Sequence, residues 1–168
     1  METISKVLDL ILPILAIVVL CMSNMKLLLM GEIAMNGIVF LSYILSSGIS
    51  GAGVMILAIV QSVIMFFLSG KQKQAKIVTW VFLGIHTVWT VLAFETLRDL
   101  LPFACVVFYT LCLMQPTAKK FKVFKAGNAG CWVVYDLLIC NYTVLITHGI
   151  QLIMSLIGVF RKEKAVTK

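Results

Sequence analysis

The chain has 168 residues, of which 61% are hydrophobic and 12% charged, with a net charge of +7 and a mean hydropathy of +1.07. A soluble domain is about 45–50% apolar and about 25% charged, and a compact chain of this size still exposes much of its surface, so an ordinary water-soluble globule is excluded. The positive charge sits in short clusters between apolar stretches, a pattern that orients membrane proteins and makes nucleic acid an unexpected partner.

Seven apolar runs follow one another, at 7–23, 27–46, 52–69, 77–94, 100–115, 126–142 and 144–160. Each suits a helix crossing a hydrocarbon core, which takes about 17–25 residues. The alternating pattern of a barrel is absent, and helices satisfy their own backbone polar groups, so an all-α, polytopic membrane helix bundle is expected.

The first run follows Lys6 and contains Pro13. It has no A-x-A-like cleavage site, and Val18, Val19 and Leu20 before Cys21 lack the small residues of a lipoprotein site, so a retained helix is expected. Ser23 and Asn24 end it. The second run carries Glu32 and, one turn on, Asn36; Glu32 is expected near the cytoplasmic interface beside Lys26, and Asn36 deeper. It ends at Ser46 through Gly51. The third run contains Gln61 and stops at Lys71 through Gln74. The fourth holds His86, Thr87 and Thr90 beside Trp89 and stops at Glu95, Arg98 and Asp99. The fifth opens on Leu100, Leu101 and Pro102, and Pro116 through Lys125 follow it as a basic loop. The sixth carries Trp132, Tyr135 and Asp136 on one helix face. After a weak break near Asn141, the seventh carries His148 and Gln151.

Seven crossings divide the 14 basic residues unevenly. The N-terminal side holds Lys6 and Arg98. The other side holds Lys26, Lys71, Lys73, Lys76, Lys119, Lys120, Lys122, Lys125, Arg161, Lys162, Lys164 and Lys168. The positive-inside rule makes the second side cytoplasmic, with the N-terminus outside.

An internal repeat is visible in the same runs. Pro13 and Pro102 each follow an Asp (Asp9, Asp99) early in a helix. Gln61 and Gln151 precede Lys71 and Arg161 by equal distances. Gly31 and Glu32 align with Gly127 and Asn128, and Asn36 aligns with Trp132. The expected organisation is one transmembrane domain over 1–168. Within it lie a first three-helix repeat at 7–69, a linker helix at 77–94 and a second repeat at 100–160. The repeats run parallel, in a 3+1+3 arrangement.

A chain of this layout, with a proline opening each triplet, resembles the MtN3/SWEET/PQ-loop superfamily. The nearest resemblance is to the YgjV family of bacterial inner-membrane proteins. Leu100, Leu101 and Pro102 carry it, with Gly130 through Tyr135 and the stretch from Gln151 to Phe160 and Arg161. Pro13 and Pro102 are followed by Ile14 and Phe103, so the Pro-Gln dipeptide of PQ-loop proteins is absent. The resemblance implies an inner-membrane location and a solute path between the triplets, without naming a substrate.

Ionisable and polar groups inside membrane helices are costly, and that makes them site candidates. Asn36, Gln61, Trp132, Tyr135, Asp136 and Gln151 are the candidate solute-binding residues, and Pro13 and Pro102 are candidate hinges. Asp136 reads two ways: as a solute or proton site beside two aromatics, or as an interfacial residue that holds helix packing. The five cysteines, Cys21, Cys105, Cys112, Cys131 and Cys140, have no metal-ligand spacing. No metal, cofactor or enzymatic activity is expected. The expected function is a small-molecule transporter or facilitator, with a non-transporting scaffold or assembly factor as the alternative. The lipid bilayer, a small polar solute and a second copy in a homo-oligomer are the candidate partners.

Overall fold

A computed structural model of the chain describes residues 2–45, 49–92, 100–138, 140 and 142–161. The described residues form seven helices and no strands: α1 (Glu2–Cys21), α2 (Met25–Leu45), α3 (Ile49–Phe67), α4 (Gln72–Leu92), α5 (Leu100–Leu113), α6 (Ala118–Leu138) and α7 (Tyr142–Phe160). Of the break expected from Ser46 through Gly51, residues 46–48 lie outside the described residues, and 49–51 are already in α3. The expected breaks at Glu95, Arg98 and Asp99 and at Asn141 lie outside the described residues, as do the last basic residues, Lys162, Lys164 and Lys168.

Local chemistry fixes the helix ends. Asn24 caps α2: its Oδ1 accepts from the backbone N–H of Lys26 (2.9 Å) and of Leu27 (3.4 Å). Thr117 does the same for α6 through the Lys120 N–H, at 3.3 Å. Gly70, at φ 93°, makes the left-handed turn between α3 and α4. Pro13 lies inside α1, where it removes one backbone bond to the preceding turn. Pro102 sits in the first turn of α5.

The helices pack as two rows. In one, α2 lies between α1 and α3; in the other, α6 lies between α5 and α7. The rows meet where α1 packs along α7 and, more lightly, where α2 touches α6. Side chains also join α3 to α5. Helix α4 packs on α5 and touches α3. Small residues let the helices approach. A Cβ on Gly31 would sit 2.4 Å from the methyls of Val19 on α1, and one on Gly127 would sit 2.8 Å from the ring of Phe108 on α5.

The distribution of polarity is inverted relative to a soluble protein. Large apolar side chains cover the outside, including Leu10, Phe67, Trp80, Leu92 and Phe160, the last 82% exposed. Inside are Glu32, Gln61, Ser62, Thr110, Lys122, Lys125, Asn128, Asp136 and Gln151. Soluble domains bury charge only rarely. Among the described residues, the helix Gln72–Leu92 is long and apolar enough by itself to cross a bilayer. Leu10–Cys21, Met55–Phe67, Leu100–Leu113 and Val144–Phe160 are shorter apolar helical stretches.

Candidate functional site: a polar seam between the two rows

The interior polar residues form two clusters. The first joins α2, α3, α5 and α6. Lys125 Nζ donates to Glu32 Oε2 at 2.8 Å, with side chains 5% and 1% exposed. The same ammonium lies 5.4 Å from the centre of the Tyr109 ring, within cation–π range. One turn along α2 from Glu32, Asn36 Nδ2 donates to the Tyr109 hydroxyl at 2.6 Å. That hydroxyl is 2.7 Å from Ser62 Oγ. Ser62 spends its single proton on the Ala58 carbonyl, at 2.7 Å, so Tyr109 must be the donor to Ser62. The result is a directed chain, Asn36 to Tyr109 to Ser62 to Ala58, that ties three helices together. Beside it, Thr110 Oγ1 donates to Gln61 Oε1 at 3.4 Å. Two fully buried atoms here, Glu32 Oε1 and Gln61 Nε2, have no hydrogen-bond partner among the described residues.

The second cluster joins α6 to α7. Asp136 lies eleven residues after Lys125, about 16 Å along the helix axis. His148 Nδ1 is 2.7 Å from Asp136 Oδ2. An ionised carboxylate only accepts, so Nδ1 carries the proton in that contact. The imidazole also stacks on Trp132, with centroids 5.3 Å apart and planes 14° apart, and Trp132 meets Tyr135 edge to face. Below this, Asn128 Nδ2 donates to the Cys105 carbonyl at 2.7 Å and fastens α6 to α5.

The residues selected by sequence divide between these clusters. Asn36 and Gln61 fall in the first; Trp132, Tyr135 and Asp136 fall in the second. Asp136 is buried and faces α7, and Gln151 is buried on α7. Glu32 is 1% exposed and paired with Lys125 rather than with Lys26. One expectation is corrected. Lys122 and Lys125 are not loop residues: α6 starts at Ala118 rather than at 126, and both lysines are buried within it. Tyr109, Ser62 and Lys125 are site residues that sequence reasoning does not select. Tyr109 and Ser62 sit inside apolar runs with nothing to mark them. Lys125 carries a signal, because it and Glu32 each lie seven positions into a 21-residue helix on facing elements.

Chemically, the first cluster offers a charged donor, a carboxylate acceptor and an amide donor in a nearly water-free setting. The second offers an imidazole poised between a carboxylate and an indole. No group of three or more His, Cys, Asp or Glu suited to a metal occurs among the described residues. An apolar cleft of about 290 Å³ lies apart from both clusters, between α4 and α5, lined by Thr87, Thr90, Val91, Leu100 and Phe103. Thr87 Oγ1 is already bonded to the Leu83 carbonyl there, at 2.7 Å.

An apolar shell around a charged seam is what a protein dissolved in lipid should show. A family model described as a bacterial inner membrane protein, Imp-YgjV, matches residues 3–165. The chain belongs to that family. The match runs through every helix of this YgjV-family protein, so both polar clusters lie within the family region. No curated protein and no solved structure matches the chain.

Proposed function

We propose that this YgjV-family protein carries a small polar solute across the bacterial inner membrane. In this reading it crosses seven times, with its N-terminus outside and its C-terminus cytoplasmic. Its parts are two parallel triplets, α1–α3 and α5–α7, joined by α4 in the manner of SWEET and PQ-loop carriers. The neighbour relations support two like units, since the middle helix of each triplet lies between the other two. The correspondence between the triplets is partial: α1 packs along α7, whereas α3 and α5 are joined by side chains alone. The glycine contacts agree, since Val19 follows Pro13 by six positions and Phe108 follows Pro102 by six. Burial of Lys122 and Lys125 removes two of the twelve basic residues from the cytoplasmic side, and the charge asymmetry survives.

The observation that carries the reading is the pair of orphaned atoms, Glu32 Oε1 and Gln61 Nε2, in the seam between the rows. Leaving a buried polar atom without a partner costs about 1–3 kcal/mol. A purely structural seam gains nothing from that. A solute with a hydroxyl or amide group can donate to the carboxylate and accept from the glutamine. A scaffold is the second reading, favoured by the extent to which the other interior groups already bond across helices.

The test is uptake into vesicles reconstituted with the purified protein, screened with radiolabelled sugars, polyols, amino acids and amides. The expected result is saturable uptake of at least one class, lost in Gln61→Leu while helix content and insertion are retained. No uptake of any class by correctly inserted protein would reject the carrier in favour of the scaffold.

A further inference from the structure

The second cluster has a composition that solute recognition does not require. His148 is held on one edge by Asp136 and on one face by Trp132. Its Nδ1–H is committed to the carboxylate. Its Nε2 has no hydrogen-bond partner among the described residues, and the side chain keeps 16% of its surface accessible. Asp136, 3% exposed, has no other charged partner among them. We propose that His148 is a proton-binding site, taking up one proton at Nε2, and that this proton is the co-substrate of the carrier. The co-substrate role rests on the transport reading; the binding site itself does not.

The chemistry is a simple addition. The Nε2 lone pair accepts a proton from water, Nδ1 keeps its own, and the ring becomes an imidazolium. The Asp136–His148 unit then passes from a net charge of −1 to zero. A lone carboxylate is much less tolerable than an ion pair in a water-poor interior. Proton binding therefore favours the packed arrangement of Asp136 and His148, and proton loss leaves the buried carboxylate without a counter-charge among the described residues. Trp132 adds to the preference, because an indole face attracts a cation.

Few titratable or charged groups surround the imidazole among the described residues. On α6 they are Cys131 and Tyr135, with Lys122 and Lys125 farther along; on α5 they are Cys105, which lies near Cys131 and Asp136, and Tyr109. On α2, Glu32 is held by Lys125, and on α1 the one titratable side chain described is Cys21. Thiols and phenols ordinarily keep their protons below about pH 8.

Trp132 reports the state of its neighbour, because an imidazolium stacked on indole quenches its fluorescence. The chain has three tryptophans, and Trp80 and Trp89 are exposed on α4. A W80F/W89F protein in lipid nanodiscs should lose emission reversibly as the pH falls from 8 to 5. H148Q should abolish that loss, and D136N should remove most of it, since Asp136 is the charged partner that holds the ring on Trp132. Emission that is flat with pH, or an undiminished loss in a helical H148Q protein, overturns the proposal. If H148Q does not insert, H86Q decides. It leaves His148 as the single histidine, whose ring carbon resonance should move over the same pH interval; a stationary resonance overturns the site. Quenching without solute uptake at any pH overturns the carrier and leaves the proton site standing. Uptake without quenching overturns the proton site alone.

Discussion

Lys125 and Glu32 lie 93 positions apart in sequence and form a 2.8 Å ion pair between the middle helices of the two rows. Both are almost wholly buried. Removing one partner of such a pair strands the other charge, at a cost of about 3–5 kcal/mol, whereas replacing both with apolar groups is often neutral. Lys125→Met and Glu32→Leu are each expected to lower thermal stability in detergent strongly. The combination Glu32→Leu with Lys125→Met should recover most of the loss. A double change as damaging as the sum of the single ones would mean that the contact contributes nothing as a pair.

The glycine contacts make matched predictions in the two rows. Gly31→Ala and Gly127→Ala force a Cβ to within 2.4 Å of Val19 and 2.8 Å of Phe108. Overpacking of this kind costs about 1–3 kcal/mol. Val19→Ala should relieve Gly31→Ala, and Phe108→Leu should relieve Gly127→Ala. At Gly84 and Gly130 an added Cβ would meet nothing within 4 Å, so alanine at either should be neutral or slightly stabilising in a thermal melt.

Tyr109→Phe deletes the centre of the chain from Asn36 to Ser62. Hydrogen bonds between membrane helices average about 0.6 kcal/mol, so two of them should cost about 1 kcal/mol. Chemical denaturation in mixed micelles should show a loss of that size. A change within error would mean that Asn36 and Ser62 find other partners.

Orientation is checked with reporter fusions. One at Gly48 should read outside and one at Lys73 cytoplasmic, because the basic clusters fall on the Lys73 side. The same location for both would reject the seven-crossing topology.

In the carrier reading, Asp136→Asn should leave the protein inserted and end concentrative uptake, because hydrogen-bonding shape is nearly kept and the charge is lost. Full uptake by this variant in vesicles would take Asp136 out of the mechanism.

The periodic features of the chain are legible in the sequence, and the partnerships mostly are not. Long apolar runs mark the seven described helices, because a continuous apolar stretch of about 20 residues suits a helix surrounded by lipid. Asp136 stands out because a carboxylate in an apolar run has few explanations. Its partner His148 is visible but unassigned, since pairing depends on how closely α6 and α7 turn back on each other. Lys125 misleads, because a lysine shortly after Pro116 looks like loop charge until the helix is known to begin at Ala118. Tyr109 leaves no trace at all: a phenol in an apolar run reads as one more aromatic, and three helices must be assembled before its hydroxyl matters.

The separation of Glu32 from Lys125 also has a consequence for how the chain is made. Helix α2 leaves the ribosome long before α6. At about 5–20 residues per second, the 93 intervening positions take roughly 5–20 s to synthesise. Through that interval Glu32 has no counter-charge from α6, because Lys125 is not yet translated. Until α6 arrives, this side chain can stay near water or take up a proton, the usual response of an unpaired carboxylate in an apolar setting. The ion pair that joins the two rows can therefore form only after the first row has been made and α6 has followed it.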